Sequence, residues 1–559
     1  MFAGSGTEKV HSTQITLMQK DGISVVTVLP DYQGPLSPFA LIIPVPSDVT
    51  KTRVNALKRA YTDRVALVSA PRFAEFWEMD PCSSEKRMQD WERDRKANDA
   101  TAFLGTMKTD PSKKVAKEML LDVEAQKKKG EYVNTLVGSA AEVKKWLEGK
   151  DYKLPPGADK SFSEYEELGY KFLVMDVDSN LMELVGSDRA SLSPIRFWTK
   201  EEVTTLPTRF GLPSAAKEQE LQIFTMIPGQ RMQVTNYETK AIPTNLSVVT
   251  EYIESEKKKY NLKEKIGEFY TALHDSFAEK NPNTFLLEYA WPTEDCGKPC
   301  PSEPLFPDEL LSLGADVFEA TLSKDVTRPA PPEATDEEKG KLEGLQMAAK
   351  SPKQKRDIKK QWEADRQELA ARKALLERNK YILTRLHYRY SSAQMPKDVE
   401  LGSGAAVTGG VALPEGEFGE ADTSVQPADE NHFQSRYNGL FPNIKVIKCD
   451  DPKPHRWGKS PRTYRGLNKI WVAEDLARRN RKRIDLKKAV LTPVPVLGLA
   501  GRTAAVEEKK SDAVDVPVEK EDSGCACSAV DSSAARQWGA WGGLLMLGAF
   551  WRRRSTRRA

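Results

Sequence analysis

The chain has 559 residues, long enough to bury a substantial core. Its 39% hydrophobic and 30% charged content reads as globular with polar insertions. Net charge is only +3, and five arginines sit in residues 552–559, so the rest of the chain is slightly acidic. That excludes the basic footprint of a dedicated nucleic-acid binder.

Taken in chain order, residues 13–28 (TQITLMQKDGISVVTV) hold two apolar runs around Asp21-Gly22, a β-hairpin signal. Residues 38–46 (PFALIIPVP) form a third extended run, closed by prolines. Val54, Leu57, Tyr61, Val65 and Val68 recur at helical spacing, and Pro71 stops that helix. Residues 86–160 are rich in Lys, Asp and Glu and read as a helical insertion. Strand character returns at residues 170–176, 195–198, 221–227 and 232–237. Leu262, Ile266, Phe269, Leu273 and Phe277 mark an amphipathic helix, with Thr250 as its N-cap. Residues 285–291 are again a strand.

Residues 335–379 are charge-dense, with a thin stripe of Ile358, Trp362, Leu369 and Leu376, and read as a helical insertion broken at Ser351-Pro352. Residues 381–390 (YILTRLHYRY) alternate as a strand. Residues 400–430 read as a flexible Gly-rich loop. Residues 502–523 are charged and lack aromatics, the composition of a disordered tether. These elements predict an α+β fold: an antiparallel β-rich core, with a two-sheet sandwich as one form of it, long helical insertions, and one C-terminal transmembrane helix. The expected domains are residues 1–500, a tether over 501–523 and a tail over 524–559.

The tail carries the most information about location. Residues 538–551 are an uncharged run of fourteen, about 21 Å as a helix and short against a bilayer core of about 30 Å. Extending it back to about residue 535 lengthens the span. Trp538, Trp541 and Trp551 lie toward its ends, where indole rings favour the water boundary. Arg552, Arg553, Arg554, Arg557 and Arg558 follow and would hold that end in the cytoplasm, leaving the body outside. Gly524-Cys525-Ala526-Cys527, spacer, short span and arginine cluster together resemble the MYXO-CTERM sorting domain of myxobacteria. The resemblance implies cleavage near the cysteine motif by a sorting protease of the myxosortase type, transfer to the cell surface, and lipid on Cys525 or Cys527. The N-terminus (MFAGSGTEKVHSTQ) shows no basic region or apolar run, so export requires a signal encoded upstream of Met1.

In the body, "FALIIPVP", "APRFAEFWEMDPC", "LGYKFLVMDV", "LSPIRF", "VTNYETKAIPTN" and "KYILTRLHYRY", with the later "NHFQSRYNGLFP", resemble the uncharacterised bacterial family DUF2330, in order from about residue 4 to 457. That implies an exported, often surface-sorted protein of unknown activity, and supplies no catalytic residues. Family members tend to begin with a signal peptide and a cysteine just before the Phe-Ala-Gly-like stretch; neither is present here.

Chemistry-bearing residues are sparse. His11, His274, His387, His432 and His455 match no metal-ligand spacing, and His274 and His387 read as structural. Asp429, Glu430 and His432 cluster in a loop. Gly458-Lys459-Ser460 lacks the glycine a phosphate loop needs five positions earlier, where Lys453 stands. Asp176, Asp178 and Asn180 open like a calcium loop, but Leu181 and Ser187 occupy its glycine and glutamate positions. Cys82, Cys296, Cys300 and Cys449 suit disulfides outside the cytoplasm, pairing left open, with zinc as the cytosolic alternative. The basic run from Arg478 to Lys488 is a solvated helix face or a contact for anionic lipid or polysaccharide. No cofactor or metal site is expected. Two functions remain: a non-catalytic envelope-binding or structural module, and an extracytoplasmic hydrolase-like enzyme.

Overall fold

Residues 1–83, 131–184, 189–249, 262–297, 300–318, 333–334, 336–347, 351–411, 422–441, 448–454, 456–458, 471–472 and 484–501 are described by a computed structural model. The N-terminal part runs β1 (Phe2–Ala3), β2 (Val10–Lys20), β3 (Ile23–Gln33), β4 (Phe39–Val45), α1 (Arg59–Ser69) and β5 (Arg72–Glu78). It continues through β6 (Tyr132–Gly138), α2 (Ala140–Glu148), α3 (Ala158–Glu167), β7 (Lys171–Val177), β8 (Ile195–Thr199), β9 (Ala215–Pro228) and β10 (Leu246–Val249). Then come α4 (Leu262–Lys280), β11 (Thr284–Pro292), α5 (Asp336–Met347), α6 (Pro352–Asn379), β12 (Tyr381–Tyr390), β13 (Val399–Gly404), β14 (His432–Gln434) and β15 (Arg436–Phe441).

The chain is β-rich, with antiparallel and mixed sheets plus several helices. A small antiparallel sheet has the order β1-β4-β7-β6. A larger mixed sheet runs β14-β11-β12-β9-β2-β3, with β8 beside β3. Along this run the pairs are antiparallel except β9 with β2, and the short strands Glu238–Lys240 and Val407–Gly409 add parallel pairs to β11 and β14. A third group, β10-β15-β5, is parallel. The β2–β3 hairpin turns at Asp21 and Gly22, whose φ values of 52° and 74° are those an Asp-Gly type I′ turn requires.

Strand periodicity sets the layers. Every residue of β4 is buried. Phe39, Leu41, Ile43 and Val45 join Leu173, Met175 and Val177 of β7 in one cluster with Ile15, Leu17 and Val26 of the large sheet. The alternate residues Ala40, Ile42, Phe172 and Val174 join Phe162 and Tyr165 of α3 and Val143 and Leu147 of α2. A strand apolar on both faces must lie between two layers, and β4 does. The other face of the large sheet carries Met18, Val25, Phe224 and Leu383 against Val65 and Val68 of α1. Phe269, Leu273 and Phe277 of α4 pack with Leu286 and Tyr437.

Three expectations change. The described part of the charged 86–160 stretch opens with strand β6, which pairs β7; its short alternation was hidden by the surrounding charge, and residues 84–130 lie outside the described residues. Val54 belongs to a three-residue strand, Val54–Ala56, bonded to β8, because the helix starts only at Arg59. The 400–430 loop is partly strand: β13, Val407–Gly409 and Gln426–Pro427 are all paired. Gly410, in the same stretch, has φ +70° and lies so close to Gln434 O that a side chain would collide. The break before Pro352 stands between α5 and α6. Thr250 and residues 502–559, including the tether and tail span, lie outside the described residues. Among the described residues, no helix is long and apolar enough to cross a membrane.

Phe162 is fully buried, with its ring 4.7 Å from Phe172 and 5.5 Å from Phe210. Phe162→Ala should lower unfolding free energy by about 3–5 kcal/mol, measured by urea unfolding, while Leu168→Ala, at a residue 62% exposed, stays within about 0.5 kcal/mol. Equal losses would refute the layered packing.

Candidate functional site

Two features stand out: a sealed charge network and an open cavity, on opposite faces of the large sheet. The network lies under α4. Arg385 and His387 are alternate residues of β12 and share a face. Glu220 comes from β9, and Glu288 from β11 at a β-bulge between Leu287 and Tyr289. The bulge's extra residue turns Glu288 and Tyr289 to the same face. Tyr270 and His274 are one turn apart on α4 and complete the group.

Arg385 Nε donates to Glu288 Oε2 at 2.6 Å. His387 spans two carboxylates, with Nε2 2.5 Å from Glu220 Oε1 and Nδ1 3.3 Å from Glu288 Oε1. The Tyr270 hydroxyl donates to Glu288 and lies 3.1 Å from His387 Nδ1. His274 stacks obliquely on His387, with ring centroids 4.5 Å apart. Glu288 is 0% exposed, His387 1% and Glu220 3%. Two carboxylates face one guanidinium, and an imidazolium between them balances the charge. Burial alone pulls the His387 pKa down, but Glu288 and Glu220 outweigh it and raise it to about 9. Burial alone would raise Glu288, but Arg385 and His387 outweigh it and lower it to about 2. Burial, with Arg389 and His387 nearby, holds His274 well below the histidine range, so it is neutral.

This network brings together two of the five histidines and two carboxylates, but leaves a substrate no room. It ties four elements together. The histidines were read as structural from the sequence; Glu220, Glu288 and Tyr270 were not singled out. Their signal was a carboxylate within an apolar strand, as in LLEYAW, where burial demands a partner.

The cavity lies between the sheets. It has a volume of ≈ 470 Å³, with Ile15, Val26 and Val28 on one wall and Leu41 and Ile43 on the other. Its rim carries Leu168, Tyr170, Glu201, Glu202 and Thr204. Leu168, Glu201, Glu202 and Thr204 are exposed, so this rim faces solvent. None of the described histidines lines it. The volume falls in the range of small-molecule sites, which are mostly apolar with a few polar groups.

The remaining sequence candidates disperse. Cys82 pairs with Cys449 across 367 residues, and Cys296 with Cys300 across four. By chain entropy the first bond is worth roughly 6 kcal/mol and the second roughly 2. Asp176 bonds Tyr152 and Lys150, and Asp178 caps a short helix through Asn180 N, so the calcium-like spacing is occupied by local structure. His432 packs against Trp291 at 4.8 Å, and His11 contacts Gln33. Among the described residues, no group of His, Cys, Asp and Glu could hold a metal ion. Trp457–Gly458 is a short strand, not a phosphate loop. His455, Lys459, Ser460, residues 473–483, Gly524, Cys525, Cys527 and the tail arginines lie outside the described residues.

Fold and site define a β-rich protein of mixed sheets with a ligand-sized apolar cleft between two of them. The chain belongs to an uncharacterised family of proteins conserved in bacteria, DUF2330, which matches residues 2–402. The match stops short of the NHFQSRYNGLFP stretch, yet β15 from that stretch pairs with β5 inside it, so the fold continues beyond the match. No curated protein and no solved structure matches the chain.

The network predicts a signed pH dependence. A raised folded-state pKa stabilises below the unfolded value, near 6.5, and that stabilisation is lost as pH rises through about 9. The stability difference between wild type and His387→Gln should therefore narrow by about 1.4 kcal/mol per pH unit from pH 6.5 to 9, followed by urea unfolding. A pH-independent difference would show that His387 is not charged in the folded protein.

Proposed function

We propose that this protein is an exported, surface-anchored binding module of the cell envelope, and that its cleft takes an apolar or amphipathic small molecule. The cavity between the sheets carries this reading. Its walls are more apolar than polar, its exposed rim holds Glu201 and Glu202, and its size suits a single small ligand. An apolar body would enter between the sheets. Two rim carboxylates favour a neutral or cationic head over an anionic one.

A non-catalytic role is supported by the placement of the polar groups. The one convergence of histidines with carboxylates among the described residues is sealed beneath α4 and absent from the cavity wall. Anchoring rests on the tail sequence: Gly524, Cys525 and Cys527, the short apolar run and the arginine cluster. In this reading the span holds the chain in the membrane until a myxosortase-type protease removes it, and lipid on Cys525 or Cys527 then retains it. One lipid chain gives only marginal, reversible attachment, so contact with envelope lipid or polysaccharide would supplement it.

Two measurements test the two halves. Nile red, a neutral apolar probe, should bind the purified full chain with an increase in fluorescence. Val28→Phe, which fills the cavity wall, should weaken that binding at least tenfold without changing the circular dichroism spectrum. Undiminished binding by a folded variant would eliminate the cleft as the site. Fractionation with mass spectrometry of the native C-terminus should find the protein in the envelope, lacking the residues after the cysteine motif and carrying added lipid mass. An intact C-terminus in the cytosol would eliminate the anchoring half.

A further inference from the structure

The short disulfide does not behave like a staple. Cys82–Cys449 joins chain segments 367 residues apart and constrains the unfolded chain strongly. Cys296–Cys300 closes a loop whose ends are near each other in any conformation, so its entropic effect is small. It is also held in an asymmetric setting. Cys296 is 6% exposed, while Cys300 is only partly covered. The guanidinium of Arg72, itself 0% exposed, places Nη2 3.3 Å from Cys296 Sγ. The same Nη2 donates to Val68 O at 2.7 Å, Nη1 donates to Ala70 O at 2.9 Å, and the ring of Tyr289 lies 5.0 Å away.

Both ends of the loop are fixed. Gly297 lies so close to Trp291 and Gln434 that a Cβ there would stand 2.8 Å from the indole. Beyond Cys300, Ser302 Oγ accepts from Arg64 Nη1 at 2.7 Å. Opening the disulfide therefore leaves the two sulfurs near each other. Thiol–disulfide exchange is fast when the attacked sulfur is accessible and the leaving thiolate is stabilised. A neighbouring cation stabilises a thiolate. Here Cys300 is the more exposed of the two residues, with Ser302 O 2.6 Å from its sulfur, and the sulfur beside the cation is that of Cys296.

We propose that Cys296–Cys300 is a thiol–disulfide exchange centre that accepts two electrons from a dithiol of a partner protein, with Arg72 as the residue that positions and stabilises the leaving thiolate. A donor thiol loses its proton to solvent, and its thiolate attacks Cys300 Sγ. A bond forms between the donor sulfur and Cys300, the Cys296–Cys300 bond breaks, and Cys296 leaves as a thiolate beside Arg72. The second donor thiol, also deprotonated, attacks its own partner sulfur in the mixed disulfide and releases the Cys300 thiolate. The donor departs as a disulfide, and Cys296 and Cys300 take up two protons. The donor is oxidised and the centre reduced by two electrons.

The full chain, equilibrated in a series of glutathione redox buffers and quenched with alkylating agent, gives the first test. Peptide mass spectrometry should find Cys296–Cys300 opened at a glutathione level at least tenfold below that needed for Cys82–Cys449. Opening of both bonds together, or of Cys82–Cys449 first, overturns the proposal. With oxidised glutathione, Cys296→Ser should form a mixed disulfide on Cys300 at least ten times faster than Cys300→Ser forms one on Cys296; equal or reversed rates overturn the assigned roles. Arg72→Met should slow opening by dithiothreitol at least tenfold and move the pH profile of Cys296 alkylation in the reduced protein to higher pH, with Arg72→Lys restoring part of both. An unchanged pH profile in a folded Arg72→Met protein removes Arg72 from the mechanism. Should that variant fail to fold, the two cysteine variants still decide the attack site.

Discussion

Strand β4 is apolar on both faces, and each face is packed against another layer. Burying a strand on two sides requires a layer above and a layer below. Helices α2 and α3 cover one face with Phe162, Tyr165 and Leu147; the large sheet covers the other with Ile15, Leu17 and Val26. The cleft follows from the same constraint. Two twisted sheets facing each other across an apolar gap fill it unevenly, and here the gap stays open toward a rim carrying Leu168, Glu201 and Glu202.

The opposite face of the large sheet poses a different problem. It is covered by α1 and α4, yet it carries Glu220, Glu288, Arg385 and His387. Unpaired charges there would be prohibitive. They are tolerated because they neutralise one another within hydrogen-bonding distance, and because Tyr270 supplies a further donor. Such a network is weak evidence for net stability, since desolvation offsets most of the attraction. One registry of α4 over β11 and β12 satisfies these groups, and a shifted one would strand them.

Cleft, network and disulfide thus occupy separate places in one framework. The cleft lies between the sheets, the network beneath α4, and Cys296–Cys300 just after β11, beside the first residue of β5. Arg72 connects the last two regions, since its guanidinium reaches both Cys296 and the Tyr289 ring, and Tyr289 follows Glu288 on the bulge.

Local pattern was enough for several elements. The apolar run FALIIPV closed by proline and the alternation in YILTRLHYRY marked strands, Asp21-Gly22 marked a hairpin, and Pro352 marked a helix break, because each depends on neighbours within a few residues. Family membership was legible from ordered motifs for the same reason. Strand β6 was missed because a seven-residue alternation is a weak signal inside a long charged stretch. The strands after residue 400 were missed because glycines that look like a loop can also sit where backbones approach closely, as Gly410 does against Gln434. The meeting of Glu220, Glu288 and His387, the pairing of the four body cysteines and the cleft itself were decided only in three dimensions. Apart from Cys296–Cys300, only four positions apart, each joins residues tens to hundreds of positions apart, and sheet order, not spacing along the chain, determines which of them touch.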